Sequence, residues 1–182
     1  MSINKNEKKM VTYYLTLSQV FPKGHINEGE LTLFEQALRK AVDGCDDCPE
    51  VFVCLKEKKW CVAVQTKVHT IRANYEFWKK RFEKIEKGEA CLSVRQWVGK
   101  PYGEGSTMRE IMRLTKDDGI GIQKLTIEGV TTHHPIYVDG NPVEAKDVAK
   151  NDGLDEPDWH SWFRGYDVTK PMAVIHFTKF RY

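Results

Sequence analysis

The chain has 182 residues, 41% of them hydrophobic and 30% charged, which is enough for one domain with a substantial core. With 28 Lys and Arg against 26 Asp and Glu, the formal net charge is +2. A general polyanion binder carries a larger excess, so any nucleic-acid contact has to come from a local patch. No apolar run approaches the roughly 18 residues of a membrane helix, and the polar start from Met1 to Met10 has no apolar signal segment behind it. A cytoplasmic protein with no membrane partner is the expectation.

Residues 1–10 are expected to be flexible, and 11–182 to form a single domain with a local elaboration at about 40–64. Val11 to Phe21 alternates and is rich in Tyr, Leu, Thr and Val, which predicts a strand ended by Pro22-Lys23-Gly24. Glu30 to Val42 spaces Leu31, Phe34, Leu38 and Ala41 as an amphipathic helix does, and Gly44 stops it. Val51 to Leu55 and Trp60 to Val64 are short apolar runs around Lys56-Glu57-Lys58-Lys59, a hairpin with a charged tip.

Five cysteines, an odd number, with no secretion signal argue for free thiols. Cys45-x-x-Cys48 is the one pair with ligand spacing, and Cys54, Cys61 or a distant His would have to complete a zinc set. Asp46, Asp47 and Pro49 instead mark a loop, and no second such pair exists. Neither a metal nor a cofactor is expected.

Further along, Tyr75 to Lys87 predicts a helix with Trp78, Phe82 and Ile85 inward and Lys79, Lys80, Arg81, Lys84 and Lys87 outward, ended near Gly88. Ala90 to Val98 reads as a strand with Leu92, Val94 and Gln96 on one face and Cys91, Ser93, Arg95 and Trp97 on the other. Gly99 to Gly105 is a glycine-rich loop without the strand-loop-helix context of a phosphate cradle. Thr107 to Thr115 and Ile120 to Ile127 are the next strands, although Met108, Ile111 and Met112 also have helical spacing. Asp139-Gly140 marks a tight hairpin. Glu144 to Asn151 and Asp155 to Phe163 predict short helices, the second capped by Asp155, and Met172 to Phe180 a final strand. About six mostly antiparallel strands with helices at the connections suit an α+β fold built on a small barrel.

Lys67-Val68-His69-Thr70-Ile71-Arg72 carries the densest set of reactive side chains. Strand alternation puts Val68, Thr70 and Arg72 on one side and Lys67, His69 and Ile71 on the other, a pattern that buries neither face cleanly. The segment reads either as a strand running from the core into a pocket or as a turn that brings Lys67 and Thr70 together.

Lys67-x-x-Thr70-x-Arg72, with Leu15-Thr16-Leu17-Ser18 before it and Cys91-Leu92-Ser93-Val94-Arg95-Gln96-Trp97 after it, resembles the ASCH domain, a member of the PUA-like superfamily of small β-barrels. The likeness runs from about Tyr13 onward, interrupted near 40–64, and Gln65 stands where the family motif has Gly. It implies an RNA- or nucleoside-binding module. At least one small bacterial type in the family hydrolyses the amide of N4-acetylcytidine with a Lys, a Thr three residues later and a Glu in a downstream helical segment. The matching positions are Lys67, Thr70 and Asp152, whose carboxylate is one methylene shorter than a Glu.

A Thr hydroxyl needs an adjacent base to act as a nucleophile. Lys67 would serve if burial or Arg72 lowered its pKa, Asp152 would hold the amine or move a proton, and Arg72 would steady an oxyanion. His69 is a candidate for contact with a base edge or phosphate. Arg95 and Trp97 are candidates for stacking an unpaired base, with core packing as the other fate of Trp97. His133-His134, before Pro135, diverge on an extended chain, and His176 reads as a barrel residue. Tyr75, Trp78, Trp159 and Trp162 read as helix-packing residues. A non-catalytic RNA or protein interaction module using the basic helix at 79–87 is the alternative function.

Overall fold

The computed structural model describes residues 10–44, 51–54, 59–62, 65–128 and 135–182. The expectations for residues 1–9, Cys45-x-x-Cys48, the hairpin tip at 55–58, the Cys54 and Cys61 side chains, and His133-His134 lie outside the described residues.

Among the described residues, ten strands and four α-helices make a mixed α+β fold. Strands β1 (Val11–Thr16), β5 (Ala90–Val98) and β6 (Thr107–Leu114) form one sheet with β5 central, parallel to β1 and antiparallel to β6. A second sheet has the order β4 (His69–Arg72), β10 (Met172–His176), β7 (Gly121–Ile127), β8 (Ile136–Val138) and β9 (Asn141–Val143), antiparallel throughout. Strands β2 (Val51–Cys54) and β3 (Lys59–Val62) pair as the expected hairpin. Among the described residues no strand pairing joins the two larger sheets. The described residues hold more strands than the about six expected for the barrel because the β2–β3 and β8–β9 hairpins, both marked in the sequence, add four short ones.

One apolar core binds the two sheets. Leu15, Leu92 and Val94 from the first, with Leu17 just after β1, share it with Ile71, Leu125, Val174 and Ile175 from the second. All five residues of β10 are buried, because it lies between β4 and β7 with helix α2 (Tyr75–Glu86) near it. The strand ends at His176, short of the expected Phe180.

Helix α1 runs Phe34–Asp43 and not from Glu30. Leu33 takes φ 54°, a left-handed conformation that ends helical geometry, and Leu31 is 67% exposed in a bridge with Val20. Gly44 closes the helix at φ 66°. In α2 the Asn74 side chain accepts from the Phe77 N–H, and Trp78, Phe82 and Ile85 are buried. The 107–114 stretch is a strand, its helical spacing overridden by pairing with β5. Asp139 (φ 49°) and Gly140 (φ 84°) turn β8 into β9. Helices α3 (Ala145–Asn151) and α4 (Glu156–Phe163) follow, with Asp155 accepting from the Asp158 N–H at the start of α4.

Candidate active site around Lys67 and Asp152

Backbone pairing builds this site before any side chain enters it. Lys67 and Asp152 form an isolated antiparallel bridge between the run into β4 and the end of α3. The Lys67 N–H donates to the Ala37 carbonyl at 3.0 Å, the Val68 N–H to Asn151 at 2.9 Å, and the Phe177 N–H to Val68 at 2.9 Å. Helix α1, the end of α3 and the segment after β10 thus hold the two residues before Lys67's neighbours enter β4.

Gly153 lets the chains come this close. It has φ 75°, and a Cβ there would lie 3.1 Å from the Lys67 Cβ. A side chain at 153 would meet both a disfavoured backbone region and the stem of Lys67.

The expectation that 67–72 buries neither face is corrected here. Lys67, His69, Thr70 and Ile71 are all buried, with Lys67 at 1% exposure. Burial is tolerated because the polar groups meet one another. Lys67 Nζ donates to both the side-chain Oδ1 and the backbone carbonyl of Asp152, and lies 3.9 Å from the centre of the Phe34 ring. The Arg72 guanidinium donates to Thr70 Oγ1 at 2.9 Å and to the Ile71 carbonyl at 2.8 Å. Its other arm reaches the Thr16 carbonyl of β1 at 2.6 Å, so Arg72 links the two sheets.

Burial governs the electrostatics. It lowers the Lys67 amine to about 8; the Asp152 carboxylate opposes that shift and Arg72 adds to it. Burial also raises Asp152, against the pull of Lys67, Arg72 and the Thr70 hydroxyl toward the charged form. An amine near 8 spends part of its time neutral at neutral pH and can then accept a proton. Lys67, Thr70 and Asp152 are each no more than 3% exposed, so the group is sealed in this conformation.

The other expected residues divide. His69 joins the group's edge, with Nε2 2.7 Å from the Tyr182 hydroxyl, which accepts from Asn151 Nδ2 at 3.1 Å. Arg95 and Trp97 stay apart. Arg95 lies over the Tyr14 ring at 4.3 Å and donates from Nε to Ser93 Oγ at 2.9 Å, while Trp97 packs 4.9 Å from Tyr102. Both project from the face of β5 opposite the buried Leu92 and Val94.

Phe34, Asn151, Gly153 and Tyr182 belong to the neighbourhood although sequence reading did not single them out. Gly153 after a predicted helix end was the one available signal. His176, paired with His69 across β4 and β10, has its ring 5.6 Å from the His69 ring and is pushed down to about 3, first by burial and then by Arg181. Among the described residues no three His, Cys, Asp or Glu side chains converge as a metal site, and no helix is long and apolar enough to cross a membrane. No family model, curated protein or solved structure matches the chain.

Proposed function

We propose that the protein is an ASCH-like domain that binds a modified nucleoside, or an RNA element carrying one, at Lys67, Thr70, Arg72 and Asp152, and hydrolyses the amide of an acylated nucleobase such as N4-acetylcytidine. In the same reading the two sheets are the halves of a PUA-like barrel, tied by the shared core and by Arg72, and the protein works in the cytoplasm. One observation carries the chemistry: an amine lowered to about 8 sits against a buried carboxylate, with the Thr70 hydroxyl and the Arg72 guanidinium beside them.

In the reaction the neutral Lys67 amine accepts the Thr70 proton as Thr70 Oγ attacks the acyl carbon. Arg72 stabilises the oxyanion. The C–N bond breaks as the proton passes, under the hold of Asp152, to the departing nitrogen. Water then hydrolyses the acyl-threonine, releasing the acid and restoring the hydroxyl. Because Asp152 touches Lys67 through the backbone bridge as well as the side chain, the shorter carboxylate still reaches the amine.

Incubation with N4-acetylcytidine, followed by chromatography for cytidine, tests this. Lys67→Ala and Thr70→Ala should each lose at least about a hundredfold in kcat, and native kcat should rise as pH passes through about 8. Turnover unchanged in Lys67→Ala, or absent from the native chain, removes the hydrolase.

The sealed site and the outward Lys79, Lys80 and Lys84 of α2, with Lys87 just past its end, favour the second reading, a non-catalytic module that contacts RNA or a protein through this helix. Absent turnover together with RNA binding that weakens steeply with salt selects its RNA form.

A further inference from the structure

Beside the Lys67 pair, the Tyr182 side chain fills a slot walled by other rings. The centroid of its ring lies 5.6 Å from that of His69, 6.1 Å from that of His176 and 5.0 Å from that of Phe180. Its hydroxyl meets His69 Nε2 and Asn151 Nδ2. The two histidines beside the slot also carry unpartnered polar atoms. Nδ1 of His69 and both ring nitrogens of His176 are buried with no hydrogen-bond partner among the described residues, and both histidines are 0% exposed. Three orphaned nitrogens in two adjacent imidazoles are a costly arrangement for a core built only to pack.

We propose that the slot occupied by Tyr182 is a binding site for a planar nitrogen heterocycle of pyrimidine size, with the Tyr182 ring as its displaceable occupant. A phenol offers one polar atom. A pyrimidine offers ring nitrogens and exocyclic groups around its edge, and so can pair with Asn151, His69 and His176 together. Its flat faces meet the same rings that now enclose Tyr182. The slot also points the right way for the function proposed above, on which this inference rests. Asn151 precedes Asp152, and the Asp152 charge acts on the Tyr182 hydroxyl as that of Lys67 does on His69.

Displacement breaks part-buried bonds of Tyr182 and exposed ones of Arg181. Tyr182 is held by its N–H to Gln123 Oε1 at 2.9 Å and its carbonyl to Gln123 Nε2 at 3.4 Å. Arg181 donates to the Gly119 carbonyl at 2.9 Å and the Thr178 carbonyl at 2.7 Å in exposed surroundings, where water replaces such bonds at little cost. Phe177, at 0% exposure and with its N–H bonded to the Val68 carbonyl, stays in place while the Tyr182 ring leaves the slot.

Calorimetric titration with cytosine tests the slot without requiring turnover. Tyr182→Ala should bind cytosine at least about tenfold tighter than the native chain, because no phenol and no pair of hydroxyl hydrogen bonds has to be displaced. Tyr182→Phe, which keeps the ring and loses those two bonds, should fall between them. A Tyr182→Ala protein that melts cooperatively and binds 4-methylphenol but not cytosine overturns the proposal, since the slot is then a tyrosine socket only. Should Tyr182→Ala not fold, Tyr182→Phe decides: tighter binding than native supports the site, and equal affinity overturns it. Cytosine binding without N4-acetylcytidine turnover ends the hydrolase reading and leaves the slot standing. Turnover with no gain in cytosine affinity in either variant does the reverse.

Discussion

Taking an ammonium and a carboxylate out of water costs several kcal/mol per ion, and the attraction between Lys67 and Asp152 offsets that cost only while both are present. Lys67→Met keeps the stem against Phe34 but leaves Asp152 buried with its charge uncompensated except by Arg72 and Thr70. Urea denaturation should show a loss of about 3–5 kcal/mol for this variant. The double variant Lys67→Met, Asp152→Leu, with neither charge, should recover most of the loss. A double variant as unstable as the single one would mean that shape at this junction, not charge, sets the stability. On the proposed hydrolase reading neither variant should turn over N4-acetylcytidine, so a double variant that is stable but inactive separates the stability of this junction from its proposed chemistry.

Among the connections, the turn after α3 is the one whose backbone sets the site. Gly153 and Gly140 share a positive φ, at 75° and 84°, but nothing lies within 4 Å of a Cβ at 140, whereas one at 153 meets Lys67. Gly140→Ala should cost about 1–2 kcal/mol, the backbone penalty alone. Gly153→Ala should cost about 2–4 kcal/mol, because crowding of the Lys67 stem adds to it. Equal losses in urea melts would show that the stem yields freely. Elements whose signals are local could be read from the sequence: α2 from its Trp78, Phe82 and Ile85 spacing, β5 from its alternation, and the β8–β9 turn from Asp139-Gly140. The start of α1 could not, because Leu33 adopts a left-handed conformation that no pattern of apolar spacing encodes. The contact between Lys67 and Asp152 joins residues 85 apart. Resemblance to a family brought those two names together, but it carried no signal for Phe34 beneath the amine or for Tyr182 beside it, since tertiary packing alone puts them there.

At the scale of the whole molecule, the two cross-strand histidines make folding sensitive to acid. His69 and His176 are both lowered by burial, His69 further by His176 and Lys67. The unfolded chain takes up protons on both near pH 6.5, while folded His176 resists until about 3. Stability is therefore intact above about 6.5 and falls as pH drops, by up to about 1.4 kcal/mol per pH unit for each histidine. Raised Asp152 acts in the opposite sense, so the clean measurement is a difference: His176→Phe should lose stability less steeply than the native chain between pH 6 and 4 by about that slope. Identical slopes would show that His176 takes up its proton in the native fold as easily as in the unfolded chain. The strand order has a further outcome. Thr12 of β1 meets Cys91 of β5 across 79 residues, and His69 meets Tyr182 across 113. Loops of that length close late, after nearby hairpins and helices have formed. A chain that is still folding therefore holds most of its helices and turns well before Lys67 has its walls, and the buried pairing of Lys67 with Asp152 becomes a property of the completed fold alone.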